Sequence, residues 1–369
     1  MMKKGKAAVF MPETRSFDVR EYEVSSPAAG NAGLSLRFSG VCGTDVHIYE
    51  GKLGPMPFPM ILGHEFVGRV EALGEGVTVD GLGTPLAVGD DAIACVAIPC
   101  GKCLSCTKGE TASCMAFGVT YSKPADEAPH FHGGFAEYQE IPAANLVKIA
   151  PGLDVRAAAA FPCGGPTIIR ACTYGGGLAK GELVVVQGNG ALGLFAVAYA
   201  KAQGCRVICV GSAANEKRLS ATMELAPDIF VDFRKTGNEE LQALVVEEAK
   251  KLGRGDGADV VIETSGDPNA FQTGLVLLRT RGRYLVPGQY SNRGDVAIPP
   301  HLITFRALSV IGSGQYTMAD IAVYLEFLAA HPDLQRIFSG MVATYAVSDI
   351  NTAIADAAAG CAIKAAFTV

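Results

Sequence analysis

What the chain lacks narrows its chemistry first. Lys and Arg never gather into long runs, and the formal net charge is −6. A nucleic-acid surface needs a clustered basic patch, so that class of partner has no electrostatic support. No stretch approaches the ~20 consecutive apolar residues that a membrane-spanning helix needs. The basic start Met1-Met2-Lys3-Lys4 has no apolar run behind it, so no secretory leader is expected. An even set of paired cysteines is also missing. The 11 cysteines are an odd number scattered through a long chain, which argues against a disulfide framework. No internal repeat or low-complexity tract stands out. These exclusions leave a soluble, cytoplasmic protein as the expectation.

What is present points to a large buried interior. Hydrophobic residues make up 49% and charged residues 18% of 369 residues, too long a chain for one ordinary core. The first part reads as β-rich. Residues 6–11, 20–24, 34–41, 66–73 and 90–96 are short strand-type runs broken by Gly, Pro and Asp turns, which suits a barrel-like or sandwich-like sheet. A further strand is expected at 133–138. Residues 156–172 read as helix broken by Pro162, Gly164, Gly165 and Pro166. From about Gly181 the rhythm becomes strand, helix, strand. Strands are expected at 183–187, 206–210, 228–232, 258–263 and 282–286, with helices at 215–225, 239–252 and 268–278 between them. That alternation predicts a doubly wound parallel sheet with helices on both faces. From about residue 305 the alternation ends, and a mixed tail is expected to return to the first domain.

One stretch carries most of the chemistry. Residues 40–65 contain Cys42-Gly43-Thr44-Asp45-Val46-His47 and then Gly63-His64-Glu65. A thiolate and an imidazole are good zinc ligands, and zinc with one open position is a Lewis acid. We read Cys42 and His64 as two of three catalytic zinc ligands and Cys163, in the broken helix, as the third. Taken singly, each also fits an ordinary core or hydrogen-bonded residue. Thr44 and His47 lie close by and can carry a proton.

A second constellation is Cys100, Cys103, Cys106 and Cys114, spaced C-x2-C-x2-C-x7-C. Four thiolates suit a closed, tetrahedral structural zinc site with no chemistry of its own. A redox pair needs only two cysteines; an iron–sulfur cluster stays open as an alternative because its spacing is somewhat similar. His130 and His132 sit in a polar loop and read as exposed. Tyr49, Met56, Phe117, Tyr121 and Phe131 fit either an apolar substrate cleft or ordinary packing.

The third motif is Gly188-Asn-Gly190-Ala-Leu-Gly193, between a strand and a helix. Such a loop turns tightly, lets backbone approach a pyrophosphate, and packs helix on strand. It predicts a bound dinucleotide. The acid that would bond the ribose of NAD is missing after the second strand, where Gly211 and Ser212 stand. Lys217 or Arg218 could meet a 2′-phosphate instead, or stay solvated while Glu216 reaches the ribose. The balance leans slightly to NADP.

Together these residues resemble the zinc-containing medium-chain alcohol dehydrogenase family, and the resemblance spans essentially the whole chain. It implies a GroES-like catalytic domain at 1–164, a Rossmann dinucleotide-binding domain at 165–304, and a return to the catalytic domain at 305–369. It implies two zinc ions, one catalytic and one structural, with NAD(P) as cofactor. Residue by residue, it makes Glu65 the carboxylate behind the metal and Asp45 the partner that fixes the His64 tautomer. Thr44 and His47 become the ends of a proton relay. Thr167 packs against the nicotinamide, and Lys364 lies near the pyrophosphate; Ser212 and Arg218 stay candidate cofactor contacts from the reading of the second strand's end. The implied reaction moves a hydride between an alcohol, or the matching ketone or aldehyde, and NAD(P). A homo-dimer or homo-tetramer is the implied assembly. A zinc-free double-bond reductase of the same fold is the competing enzyme reading. It predicts loss of Cys42, His64 and Cys163, which are all present. A non-catalytic dinucleotide-binding protein is the third reading.

Overall fold

A computed structural model describes residues 3–369. The chain divides into two compact units. One comprises residues 1–166 and 315–369, the other Thr167–Gly314.

In chain order, the first unit begins with strands β1 (Lys4–Met11), β2 (Ser16–Glu23) and β3 (Asn31–Gly40), then helix α1 (Gly43–Tyr49). There follow β4 (Met60–Ile61), β5 (Glu65–Leu73), β6 (Asp91–Ala94) and β7 (Ala97–Ile98), a short helix α2 (Leu104–Thr107), and β8 (Gly118–Val119), β9 (Tyr138–Pro142) and β10 (Leu146–Lys148). Helices α3 (Val155–Ala158) and α4 (Gly164–Tyr174) carry the chain to the second unit. That unit alternates β11 (Leu183–Gln187), α5 (Ala191–Ala202), β12 (Arg206–Gly211), α6 (Glu216–Glu224), β13 (Ile229–Asp232), α7 (Asn238–Lys251), β14 (Ala258–Glu263), α8 (Pro268–Leu277), β15 (Leu278–Val286), α9 (Pro300–Phe305) and β16 (Ser309–Gly312). The chain returns through α10 (Met318–Ala330), α11 (Pro332–Gly340), β17 (Val342–Tyr345), α12 (Ile350–Ala359) and β18 (Lys364–Phe367).

The first unit is built on a sheet ordered β10-β6-β5-β3-β18-β17, with β9 also paired to β3 and a smaller sheet β2-β1-β4 beside it. The C-terminal strand β18 pairs antiparallel with β3, placing Ala366 opposite Gly40. That pairing brings the end of the chain to the Cys42 motif. The core gathers Val9, Phe10, Leu34, Phe66, Phe135 and Phe367, all nearly or fully buried. Burying such side chains contributes about 1.5–3 kcal/mol each.

The second unit is a parallel sheet ordered β13-β12-β11-β14-β15-β16. In order of appearance this is 3-2-1-4-5-6, the doubly wound dinucleotide arrangement. Every residue of β11 and β14 is buried, as expected of strands covered on both faces. Helix starts follow local chemistry. Asp267 accepts the Asn269 N–H ahead of Pro268 in α8, and Asn215 accepts the Arg218 N–H in α6.

Three local expectations change. Residues 309–312 join the six-stranded sheet by parallel pairing with β15, so the unit boundary falls at Gly314 rather than 304. The strand expected at 133–138 begins only at Tyr138. His130 and His132 are not exposed. His130 is half-buried, with Nδ1 3.1 Å from the Ala125 carbonyl, and His132 is buried, with Nε2 3.0 Å from the Glu127 carbonyl. A polar loop without regular structure must satisfy its backbone somewhere, and these two rings do that work. Among the described residues, no helix is long and apolar enough to cross a membrane.

Candidate metal centre

The motif around Cys42 folds as a strand end followed by one short helix. β3 ends at Gly40, Cys42 stands at the start of α1, and its N–H donates to Asp45 Oδ2 at 2.9 Å. The other oxygen of Asp45, Oδ1, faces His64 Nδ1 at 3.5 Å, and neither atom has another partner. Asp45 therefore grips the backbone of one ligand candidate and the ring of another. A carboxylate on Nδ1 leaves Nε2 as the nitrogen available to a metal. Cys163 sits in the turn between α3 and α4, next to Pro162; the break expected across 162–166 is confined to residues 159–163, because α4 starts at Gly164 and runs through Gly165 and Pro166.

These elements bring ligand atoms of Cys42, His64, Glu65 and Cys163 within 4.8 Å of one another. Two sulfurs on one tetrahedral zinc, each at ~2.3 Å, stand about 3.8 Å apart, so the spacing fits a single ion. Charge fits as well. The carboxylate of Glu65 is ion-paired with the Lys364 ammonium, and both side chains are almost fully buried. That pair balances itself, and the two thiolates then match a divalent cation. Removing one partner of such a buried pair typically costs about 3–5 kcal/mol.

The electrostatics follow this crowding. A hydrogen bond from Cys163 holds the Cys42 thiol well below its usual range, against the cost of burial, with His64 assisting. The same hydrogen bond and burial push Cys163 well up. Burial alone would lower His64, but the charges of Asp45 and Cys42 carry it above the ordinary value. Burial pushes the Glu65 carboxyl up to about 7, with Lys364 pulling back. Burial opposes the Lys364 charge, yet the Glu65 and Cys42 charges hold its pKa above the usual value.

Lys364 is thus placed differently from the expectation at the pyrophosphate. It lies on β18 and its ammonium is committed to Glu65, because a buried ammonium needs a counter-charge. Thr44 Oγ1 lies 4.0 Å from Cys42 Sγ, and His47 follows one turn later on the same side of α1. The Tyr121 ring stands 6.2 Å from the His64 ring. Phe131 is a core residue, while Tyr49, Met56 and Tyr121 are half-buried and pack against the same core.

Cys100, Cys103, Cys106 and Cys114 form a second cluster of the same tightness. Cys100 and Cys106 sulfurs are 4.0 Å apart, and Cys114 Sγ accepts the Cys100 N–H at 3.4 Å. Backbone N–H groups of Lys102 and Cys103 draw the Cys100 thiol down to about 6. Thiolates at that spacing with backbone donors suit a closed four-sulfur site.

In the second unit, Gly188, Gly190 and Gly193 form the turn from β11 into α5. Gly188 has φ +113°, and a Cβ on Gly193 would stand 2.0 Å from the Gly188 carbonyl oxygen. A Cβ on Gly190 would meet nothing within 4 Å. The chain itself therefore needs glycine at 188 and 193, and leaves space at 190. Asn189 is a residue that sequence reasoning passed over, since it occupies an unspecified motif position. Its Nδ2 donates to the Ser212 carbonyl and its Oδ1 accepts the Ser212 N–H, both at 3.1 Å. A Cβ on Gly211 would meet the Asn189 side chain at 2.5 Å, so no acid has room there. Arg218 sits in the first turn of α6, and Thr167 on α4.

Comparisons with known proteins agree with this architecture. The alcohol dehydrogenase GroES-like domain matches residues 28–151, and the zinc-binding dehydrogenase domain matches residues 191–330. The chain is 33% identical over 320 residues to 5-exo-hydroxycamphor dehydrogenase of Pseudomonas putida, covering 85% of this chain and 84% of that protein. It is 33% identical over 312 residues to sorbitol dehydrogenase of Halalkalibacterium halodurans, covering 83% of each. The crystal structure of an alcohol dehydrogenase from Thermotoga maritima superposes with a TM-score of 0.91 at 26% identity, over 99% of both chains. Two matched domains in the right order, around two clusters of the right donor types, carry one conclusion: the chain is an oxidoreductase belonging to the zinc-containing medium-chain alcohol dehydrogenase family.

Proposed function

We propose that this chain is a zinc-dependent alcohol dehydrogenase that uses NAD(P). The observation that most supports this reading is the convergence of Cys42, His64 and Cys163, with Glu65 beside them, inside one unit. In this reading Cys42, His64 and Cys163 hold a catalytic zinc. Cys100, Cys103, Cys106 and Cys114 hold a structural one, which adds folding free energy to a lobe with little apolar core. Zinc supplies Lewis-acid polarisation of a substrate oxygen, and the nicotinamide supplies the hydride acceptor or donor.

The remaining work falls to side chains. Thr44 Oγ1 accepts the proton lost by the alcohol and passes its own toward His47, one helical turn away. In the reverse direction the same pair returns a proton to the product oxygen. Asp45 keeps the His64 ring turned so that Nε2 faces the metal position. Glu65, ion-paired with Lys364 beside these donors, would be within reach as a further ligand. Gly188, Gly190 and Gly193 admit the pyrophosphate at the start of α5, where the helix dipole favours an anion. Thr167 borders the nicotinamide in this assignment. The absence of an acid at Gly211 and Ser212, with Arg218 nearby, favours NADP over NAD.

The test is turnover by the purified protein, read by absorbance of the reduced nicotinamide, with NAD and NADP in parallel. The panel includes hydroxycamphor, sorbitol and L-threonine, named for relatives, and an aromatic primary alcohol. At least one pair should turn over, with higher kcat/KM for NADP. Cys42→Ser should abolish turnover and spare dinucleotide binding; full activity in that variant overturns the assignment. Mass measurement in solution should return a dimer or tetramer.

A further inference from the structure

One buried hydroxyl in the first unit is left without a partner beside the metal cluster. Tyr316 directly precedes Thr317, which starts α10. The backbone there is fixed, because Thr317 N and Oγ1 both donate to Asp320 Oδ2, at 2.7 and 2.8 Å. Two turns further on, the Tyr324 hydroxyl donates to the carbonyls of Ala157 and Ala158, at 3.1 and 3.0 Å, tying α10 to α3. The same Tyr324 ring packs on Gly165, two residues beyond Cys163: a Cβ on that glycine would stand 2.6 Å from it. The helix that Tyr316 introduces thus lies against the segment carrying a ligand candidate.

Tyr316 is 4% exposed, and its hydroxyl has no hydrogen-bond partner. A buried phenol normally finds one, because its desolvation is otherwise uncompensated. Burial holds its proton on, and the strongest charges acting on it after that are Cys163, Cys95, His64 and Glu65, three of them members of the metal cluster. The group is therefore a buried donor with no partner of its own, on the residue before a helix that packs against the Cys163 segment. Tyr324, also buried, differs in that its hydroxyl is satisfied by the chain.

We propose that the Tyr316 hydroxyl donates a hydrogen bond to an oxygen of the substrate and so acts as a specificity-determining residue. The inference rests on the alcohol dehydrogenase reading above. An acceptor on the substrate would complete a bond that the fold leaves unmade at Tyr316. Substrates that present such an oxygen are selected over equally large ones that do not.

Tyr316→Phe removes that oxygen atom alone. If the hydroxyl waits for substrate, the variant keeps its zinc content and its melting temperature stays level or rises, while the KM of the best substrate rises, or its kcat/KM falls, by about tenfold. Binding of the unreactive amide analogue of that substrate, measured calorimetrically, should weaken by a similar factor. A set of simple alcohols and matched diols separates the acceptors. A loss confined to diols marks a second oxygen, and an equal loss for all marks the reacting one; either supports the proposal. Tyr324→Phe is the control and should lower the melting temperature while leaving KM unchanged. Unchanged kinetics and analogue binding in Tyr316→Phe overturn the inference, as does a lowered melting temperature with kinetics intact. A wild-type protein that turns over no alcohol defeats the underlying reading instead, so the two failures are distinct.

Discussion

Asp45 shows how one side chain sets the geometry of a whole centre. Its two oxygens serve the Cys42 backbone and the His64 ring, and it has no exposure to water. Replacing it frees the imidazole to rotate and removes its negative partner. Asp45→Ala should weaken metal affinity at this site by about 10- to 100-fold, measured by competition with a chromophoric chelator. Unchanged affinity would mean that packing alone orients His64. His132 gives a residue-level test of pH dependence. Burial pushes its pKa below the ordinary value, although the bond to the Glu127 carbonyl pulls the other way. The unfolded chain takes up a proton near about pH 6.5, which the folded chain refuses until a lower pH. Its contribution is therefore fully present above about pH 6.5 and is lost as pH falls through the folded value. His132→Gln, which keeps a donor for that carbonyl, should flatten the fall of melting temperature between about pH 7 and about pH 5. An identical slope in the variant would contradict the reading.

At the scale of elements, the turn from β11 into α5 separates fold from ligand binding. Gly193 is required by the chain, because its Cβ would collide with the Gly188 carbonyl. Gly190 has open space and an extended backbone, with φ −77° and ψ −176°, that alanine adopts freely. Gly193→Ala should lower both melting temperature and cofactor affinity. Gly190→Ala should leave stability within about 0.5 kcal/mol yet weaken NAD(P)H binding by about tenfold or more, read by fluorescence titration. Unimpaired binding in Gly190→Ala would remove the pyrophosphate from this loop. The elements most legible in the sequence were those with local signals: the fully apolar strands β11 and β14, the glycine loop, the Asp267-Pro268 helix start and the four-cysteine spacing. Strand β16 was harder, since Ser309–Gly312 is short and mostly exposed at a sheet edge and only its pairing with β15 assigns it.

On the scale of the whole molecule, what the sequence hides is long-range contact. Lys364 and Glu65 are 299 residues apart, and they meet because β18 pairs with β3 beside the Cys42 motif. No periodicity or spacing encodes that meeting, and the pyrophosphate role expected for Lys364 rested on the family resemblance alone. Tyr316 is hidden for the same reason, being remote in sequence from Cys163, His64 and Glu65. By contrast, Cys42, His64 and Cys163 were legible because donor type and motif order restrict them strongly. The account depends on two metal centres of different kinds within one chain. Zinc content per chain, measured by mass spectrometry on protein purified without chelator, tests this most directly. Two zinc ions are expected in the wild type and one in Cys42→Ser, which should stay folded. Cys103→Ser should lose the other ion and at least about 4 kcal/mol of stability, the range of a lost structural metal. A wild type with one zinc, or a Cys42→Ser variant that keeps both, would contradict it.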